Sequence, residues 1–137
     1  VDVQRQRLRF DKITRDSAPD GRCRVGVVLG WRDQELTGAA EGVETHHGLI
    51  RSAAAATLEA ALGAVEKRLR LDLVGVKAVR AFDGWVVVVR VNGEADGRHY
   101  KLLGSASCEE EDGLPRAAAL AVLDATNRVV ERYIPES

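Results

Sequence analysis

From Gly48 to Ala61 the chain reads GLIRSAAAATLEAA, and from Gly113 to Thr126 it reads GLPRAAALAVLDAT, with eight of the fourteen aligned positions identical. Glu59/Asp124 and Thr57/Val122 are near-matches. Agreement of this length within one chain implies an internal duplication, and self-similarity limits the architecture more than any single residue does. Upstream of each copy lies a glycine followed by small residues, TGAAEG from Thr37 and LGSASC from Leu103, and then a short acidic or histidine-bearing loop.

Both copies read as helices when their residues are placed at 100° intervals. In the first, Ile50, Ala53, Ala54, Thr57, Leu58, Ala60, Ala61, Ala64, Val65 and Leu69 share one arc, with Arg51, Ser52, Glu59, Glu66 and Arg70 outside it. In the second, Ala118, Ala119, Val122, Leu123, Ala125, Val129 and Val130 share the arc, with Arg116, Asp124, Asn127, Arg128 and Glu131 opposite. The alanines on both faces let each helix axis sit close to whatever it covers.

Strand periodicity fills the space before each helix. Val3 to Thr14 alternates, with Gln4, Gln6, Leu8 and Phe10 on one face and Arg5, Arg7 and Arg9 on the other, as an edge strand requires. A turn from Asp16 to Gly21 leads to a second strand, Arg22 to Trp31, and a third, Gln34 to Gly42. Gly38, Ala39 and Ala40 leave room there for close backbone approach. In the second half, Asp72 to Phe82 is β-rich, and Asp83-Gly84 reads as a turn. Trp85 to Val91 is a nearly continuous apolar run expected in a central strand. Asn92-Gly93 and Asp96-Gly97 are expected to flank a hairpin, followed by a sixth strand from Arg98 to Cys108, a loop from Glu109 to Asp112 and a helix from Leu114 to Tyr133. The expected fold is α+β: two tandem βββα repeats related by pseudo-twofold symmetry, with antiparallel sheets covered by two helices. All 137 residues form one domain in this reading, with repeat one over 3–70 and repeat two over 71–134. The longin-like and roadblock-like folds are the architectural alternative; they require one continuous five-stranded sheet with Arg5 to Phe10 outside it.

Composition excludes several classes of function. The formal charge of −1 gives no field favouring nucleic acid or an anionic membrane. The Arg5, Arg7, Arg9 row has no interleaved aromatic for base stacking. Apolar stretches fall far short of the ~20 residues of a membrane span, and no segment reads as a signal peptide, so a cytoplasmic protein is expected. Cys23 and Cys108 lack CxxC spacing and read as reduced thiols.

The duplicated order, the Gly-small-Gly segments and an Ala-rich second helix ending in Ala-Thr-Asn-Arg resemble the C-terminal regulatory and dimerisation domain of 2-isopropylmalate synthase. The clearest stretch is DGRHYKLLGSASCEEEDGLPRAAALAVLDATNRV, Asp96 to Val129, including the Asn127-Arg128 pair. The resemblance implies a dimer that binds leucine as a feedback inhibitor, and it carries no synthase activity. Where that family has a Gly-Asn-Gly-Pro-Val-Asp-Ala turn, this chain reads GVETHHGLIRSA from Gly42 to Ala53, with Gly42, Gly48 and Ala53 in correspondence.

The polar loops are the candidate site. His46 and His47 precede the first helix, and the run Glu109, Glu110, Glu111, Asp112 precedes the second, where carboxylates favour a helix N-terminus. If the pseudo-symmetric loops meet one another, or meet a partner subunit's loops, His46 and His47 pair with the acidic run in a polar pocket where Gly42, Gly48, Gly104 and Gly113 let backbone amides approach a small anionic or zwitterionic ligand. The expected ligand residues are therefore Gly42, His46, His47, Gly48, Gly104 and Gly113. Neither a metal site nor a cofactor is expected, because the His and Cys spacings for ligation are absent. Ser105 and Ser107 lack a nucleophile elbow and His99 stands alone, so no catalytic triad is read. Trp31 and Trp85 read as core or interface aromatics. Since Val86 to Val89 alternates poorly, that strand needs cover on both faces, and a second subunit would supply it. The expectation is a homodimeric, non-enzymatic regulatory module that binds an amino-acid-like metabolite; a protein-interaction or oligomerisation module without a ligand is the alternative, and a hydrolase ranks last.

Overall fold

The computed structural model describes residues 7–135. The chain runs β1 (Arg9–Ala18), β2 (Arg22–Trp31), β3 (Gln34–Val43), α1 (His46–Leu62), β4 (Arg70–Ala81), β5 (Gly84–Ala95), β6 (Arg98–Cys108), a short 3₁₀ turn (Glu111–Gly113) and α2 (Leu114–Tyr133). Two separate antiparallel sheets result, ordered β1-β2-β3 and β4-β5-β6, each followed by its helix. The fold is α+β with two tandem βββα units, and the described residues form no continuous five-stranded sheet.

The pseudo-twofold relation is visible in the strand registers. Ile13, Val27 and Gly38 stand in one row of the first sheet; Val76, Val89 and Gly104 stand in the matching row of the second. Leu29 faces Leu36 as Val91 faces Leu102. Even the irregularities repeat. The register slips between Phe10 and Lys12 in β1 and between Leu73 and Gly75 in β4, so Asp11 and Val74 are the extra residues of corresponding bulges.

Each helix lies on its own sheet and reaches into the other half: α1 covers β3 and β2 and touches β4, while α2 covers β6 and β5 and touches β1. The closest approach is at the two central glycines. A Cβ at Gly38 would collide with the Ala56 carbonyl, and one at Gly104 with the Ala121 carbonyl. This is the close contact that the alanine stripes make available. Thr57 and Thr126 sit within the stripes and return their hydroxyls to the carbonyls of Ala53 and Val122, at 2.7 and 2.8 Å, so neither leaves a polar atom stranded. One hydrophobic core extends from Leu8 to Ile134 across both halves.

Several sequence expectations shift. β1 continues to Ala18, so the first turn is confined to residues 19–21; Gln4, Gln6, Arg5 and Val3 lie outside the described residues. Asn92 and Gly93 lie inside β5, where Gly93 is packed against the Leu71 and Tyr100 side chains. α1 ends at Leu62 rather than Leu69: its last amides tighten to i→i−3 bonds at Gly63, Ala64 and Val65, and the left-handed Glu66 and Lys67 turn the chain away. Ala64, Val65 and Leu69 remain buried in that connection. Ser52 and Asn127, expected on the outer helix faces, are both buried.

The two outer sheet faces differ. On the first, Lys12, Arg24, Val28 and Glu35 alternate apolar with charged. On the second, Val87 and Val89 point under α2, while Val86 and Val88 face away and are half-buried, flanked by the exposed Val79 and Leu103. Among the described residues no helix is long and apolar enough to cross a membrane.

Candidate functional site

The site begins with a helix cap. Thr45 is extended, with φ −129° and ψ 167°, and its hydroxyl accepts a hydrogen bond from the Gly48 amide at 3.0 Å. The Thr45 amide donates to the Val43 carbonyl, and the Thr45 carbonyl accepts from Leu49. This places His46 and His47 in the first turn of α1 rather than in a preceding loop, and it leaves their own amides without an intrahelical acceptor. α1 has no acidic residue in its first turn.

The acid is supplied from the other half. Glu111 and Asp112 lie in the 3₁₀ turn that leads into α2. His46 Nε2 stands 3.5 Å from Glu111 Oε2, with both side chains more than half exposed. As a surface ion pair this contributes about 0–1 kcal/mol when the imidazole is protonated. Its importance is positional: the first turn of α1 meets the turn that leads into α2, with an imidazole set beside a carboxylate.

Two clefts flank this contact. One, of about 330 Å³, is lined by Arg15, His46, Leu49, Glu111, Leu114 and Pro115. The other, of about 460 Å³, is lined chiefly by His46, His47, Ile50, Ala78, Trp85 and Leu114. They are partly related across the pseudo-dyad: Arg15, Glu111, Asp112 and Pro115 of the first have Ala78, His46, His47 and Ile50 as counterparts in the second, while Leu114 and His46 line both, and Leu49 and Glu111 line only the first. The first cleft carries a guanidinium beside carboxylates, whereas the second is mostly apolar. Arg80 lies over the Trp85 ring at 5.4 Å.

The six residues anticipated from sequence separate into groups. His46 and His47 line the clefts. Gly42 and Gly48, with His47 again, border a different groove between β3 and α1. Gly104 is buried in the middle of β6 beneath the α2 backbone, and Gly113 packs against Cys108, where a Cβ would lie 3.1 Å from the Cys108 Cβ. The close contacts of Gly104 and Gly113 are with protein, which accounts for both by packing. Arg15, Leu49, Leu114 and Trp85 were not anticipated; the Gly-Leu pair that opens both copies of the repeat was the available signal for the two leucines.

Other reactive groups are subdued. Burial pushes the Cys108 thiol up, with Asp112 adding to the effect, and its Sγ lies 3.4 Å from the Glu110 carbonyl. Cys23 is buried and unpaired with any other cysteine. Among the described residues no three His, Cys, Asp or Glu side chains gather as a metal site. No protein-family model matches the chain, and no curated protein matches it.

Proposed function

We propose that this chain is a non-enzymatic regulatory and dimerisation domain, built like the C-terminal domain of 2-isopropylmalate synthase, that binds a small amino-acid-like metabolite where its two helices begin. The observation that carries this reading is the His46–Glu111 contact, which brings the N-terminal turns of α1 and α2 together beside two clefts. Volumes of about 330 and 460 Å³ match the lower range of small-molecule sites. A zwitterion has complementary groups available: Arg15 and the free first-turn amides for a carboxylate, Glu111 and Asp112 for an ammonium, and Leu49 and Leu114 for a short apolar side chain. Binding regulates only if one arrangement of the domain holds the ligand better than another. A site shared between two halves supplies such a difference, because any shift of one half against the other changes it.

The test is thermal denaturation with a panel of amino acids and related metabolites. A ligand that binds only the folded state at a hundred times its Kd adds about 2.7 kcal/mol of stability. Under this reading one of the panel raises the midpoint, and Arg15→Ala or Glu111→Ala removes the rise. No shift with any compound at millimolar concentration overturns the metabolite site.

A second reading, oligomerisation without a ligand, is favoured by the outer face of the second sheet, where Val79, Val86, Val88 and Leu103 stand among Lys77, Arg90, Ser105 and Ser107. A dimer that survives with no response to the panel supports it. In either reading the chain works in the cytoplasm with a second copy of itself, apart from nucleic acid and membrane.

A further inference from the structure

Where the two clefts at the pseudo-dyad correspond, the copies of the repeat carry unlike residues. Arg15 stands two positions beyond Ile13 in β1 and Ala78 two beyond Val76 in β4, so the first cleft has a guanidinium where the second has a methyl group. Cys23 stands four positions before Val27 in β2 and Trp85 four before Val89 in β5. Cys23 is buried, whereas the much larger Trp85 is only half-buried and lines the second cleft. Charge has gathered on one side of the pseudo-dyad and aromatic surface on the other.

The two clefts adjoin, since His46 and Leu114 line both. Within the first, Arg15 faces Glu111 and Asp112, and Leu49, Leu114 and Pro115 give apolar contact enough for a short side chain. The second is the larger, about 460 Å³ against about 330 Å³, with Ile50, Val76, Ala78, Trp85 and Leu114 around it and no carboxylate among the described residues that line it. A side chain long enough to pass Leu114 enters that second space. Trp85 decides between an aliphatic and an aromatic group there. It also borders a third cleft, of about 700 Å³, which Arg80 and the carboxylates of Glu109 to Asp112 line with it. Arg80, 5.4 Å from the ring centroid, lines that third cleft and not the second, so the part of the ring that borders the second is left for a ligand. Aromatic rings meet in offset or edge-to-face pairs that gain more than area burial alone, and an aliphatic side chain forgoes that gain.

We propose that the ligand of this site is an aromatic amino acid, with its carboxylate on Arg15, its ammonium on Glu111 and Asp112, and its ring in the second cleft against Trp85. The assignment rests on the metabolite reading above and adds the chemical class of the ligand to it.

The experiment is isothermal titration calorimetry of the full chain with L-phenylalanine, L-tryptophan and L-leucine in turn. Phenylalanine or tryptophan should bind about tenfold more tightly than leucine, the margin that ring pairing and the extra buried area supply together. Trp85→Leu should erase most of that margin. Ala78→Leu places a branched side chain in the second cleft and should do the same, and it keeps the test open if loss of Trp85, which packs against the core, unfolds the chain. Leucine bound as tightly as both aromatic amino acids, or more tightly, overturns the aromatic assignment and leaves the metabolite site standing. An aromatic margin that survives in a folded Ala78→Leu chain overturns it as well. Heat from none of the three, in a chain whose midpoint responds to another compound of the panel, removes the aromatic class alone; response to no compound removes the site with it.

Discussion

The Asn127 side-chain amide grips the backbone of Leu8 from both sides: Oδ1 accepts from the Leu8 amide at 3.2 Å and Nδ2 donates to the Leu8 carbonyl at 3.3 Å. A residue near the end of the chain thus holds the approach to β1 as a neighbouring strand would. Both partners are buried, so Asn127→Ala leaves a peptide group without its bonds. The expected cost is about 1–3 kcal/mol, measured by urea denaturation, with faster hydrogen exchange at Leu8 as the local signature. Unchanged exchange there would show that the clamp is not used in solution.

Gly104→Ala is expected to destabilise the domain by about 1–3 kcal/mol, at the upper end, because the added carbon meets the backbone of α2 rather than a movable side chain. Gly38→Ala should behave alike, as its counterpart in the first half. Gly75→Ala is the control: open space surrounds that position and its φ is ordinary, so the midpoint should hardly move.

Val88→Glu tests the second sheet's outer face. The side chain points away from α2, so the variant should fold and keep its circular dichroism. Light scattering should show the parent chain as a dimer and the variant as a monomer. Equal masses for both would remove this face as the dimer contact.

The chain's only two tyrosines are hydrogen-bonded to each other, with 2.7 Å between the Tyr100 and Tyr133 oxygens and the rings edge to face. The bond from Tyr133 holds the Tyr100 phenol below the usual tyrosine range, with Arg98 and Arg132 assisting, and the same bond pushes Tyr133 up. Absorbance titration should therefore give two separated steps. Tyr133→Phe should leave a single step that lies higher than the first step of the parent, since the anion of Tyr100 loses its donor; an unmoved step would count against the pair.

Much of the fold was legible because period and repetition are local properties. β2, β6 and α2 fall where the pattern put them, and the alanine arcs are the buried faces. The misses have a common cause. Ser52 and Asn127 lie outside the apolar arc by angle, but each is buried by a segment from elsewhere: Ser52 by β3, Asn127 by the chain around Leu8. Angle on a helix reports one neighbour, and these residues have two. A loop reading of His46 and His47 overlooks Thr45, a residue type that caps helices, standing just ahead of the apolar-periodic run. Of the candidate site, the meeting of the two loops was anticipated from the duplication itself. Gly104 and Gly113 were drawn into it because a glycine required by packing looks, in sequence, the same as one required by a ligand.

Because α1 reaches over to β4 and α2 to β1, neither half can cover its own helix flank. A gene encoding one such half would have produced a polypeptide with a sticky side that only its twin could satisfy, and end-to-end fusion of two copies turns that obligatory partnership into a single chain. Fusion also freed the copies to diverge, so that one corner is filled by the Cys108 side chain against Gly113 and the other by the Ser52 hydroxyl against Gly42.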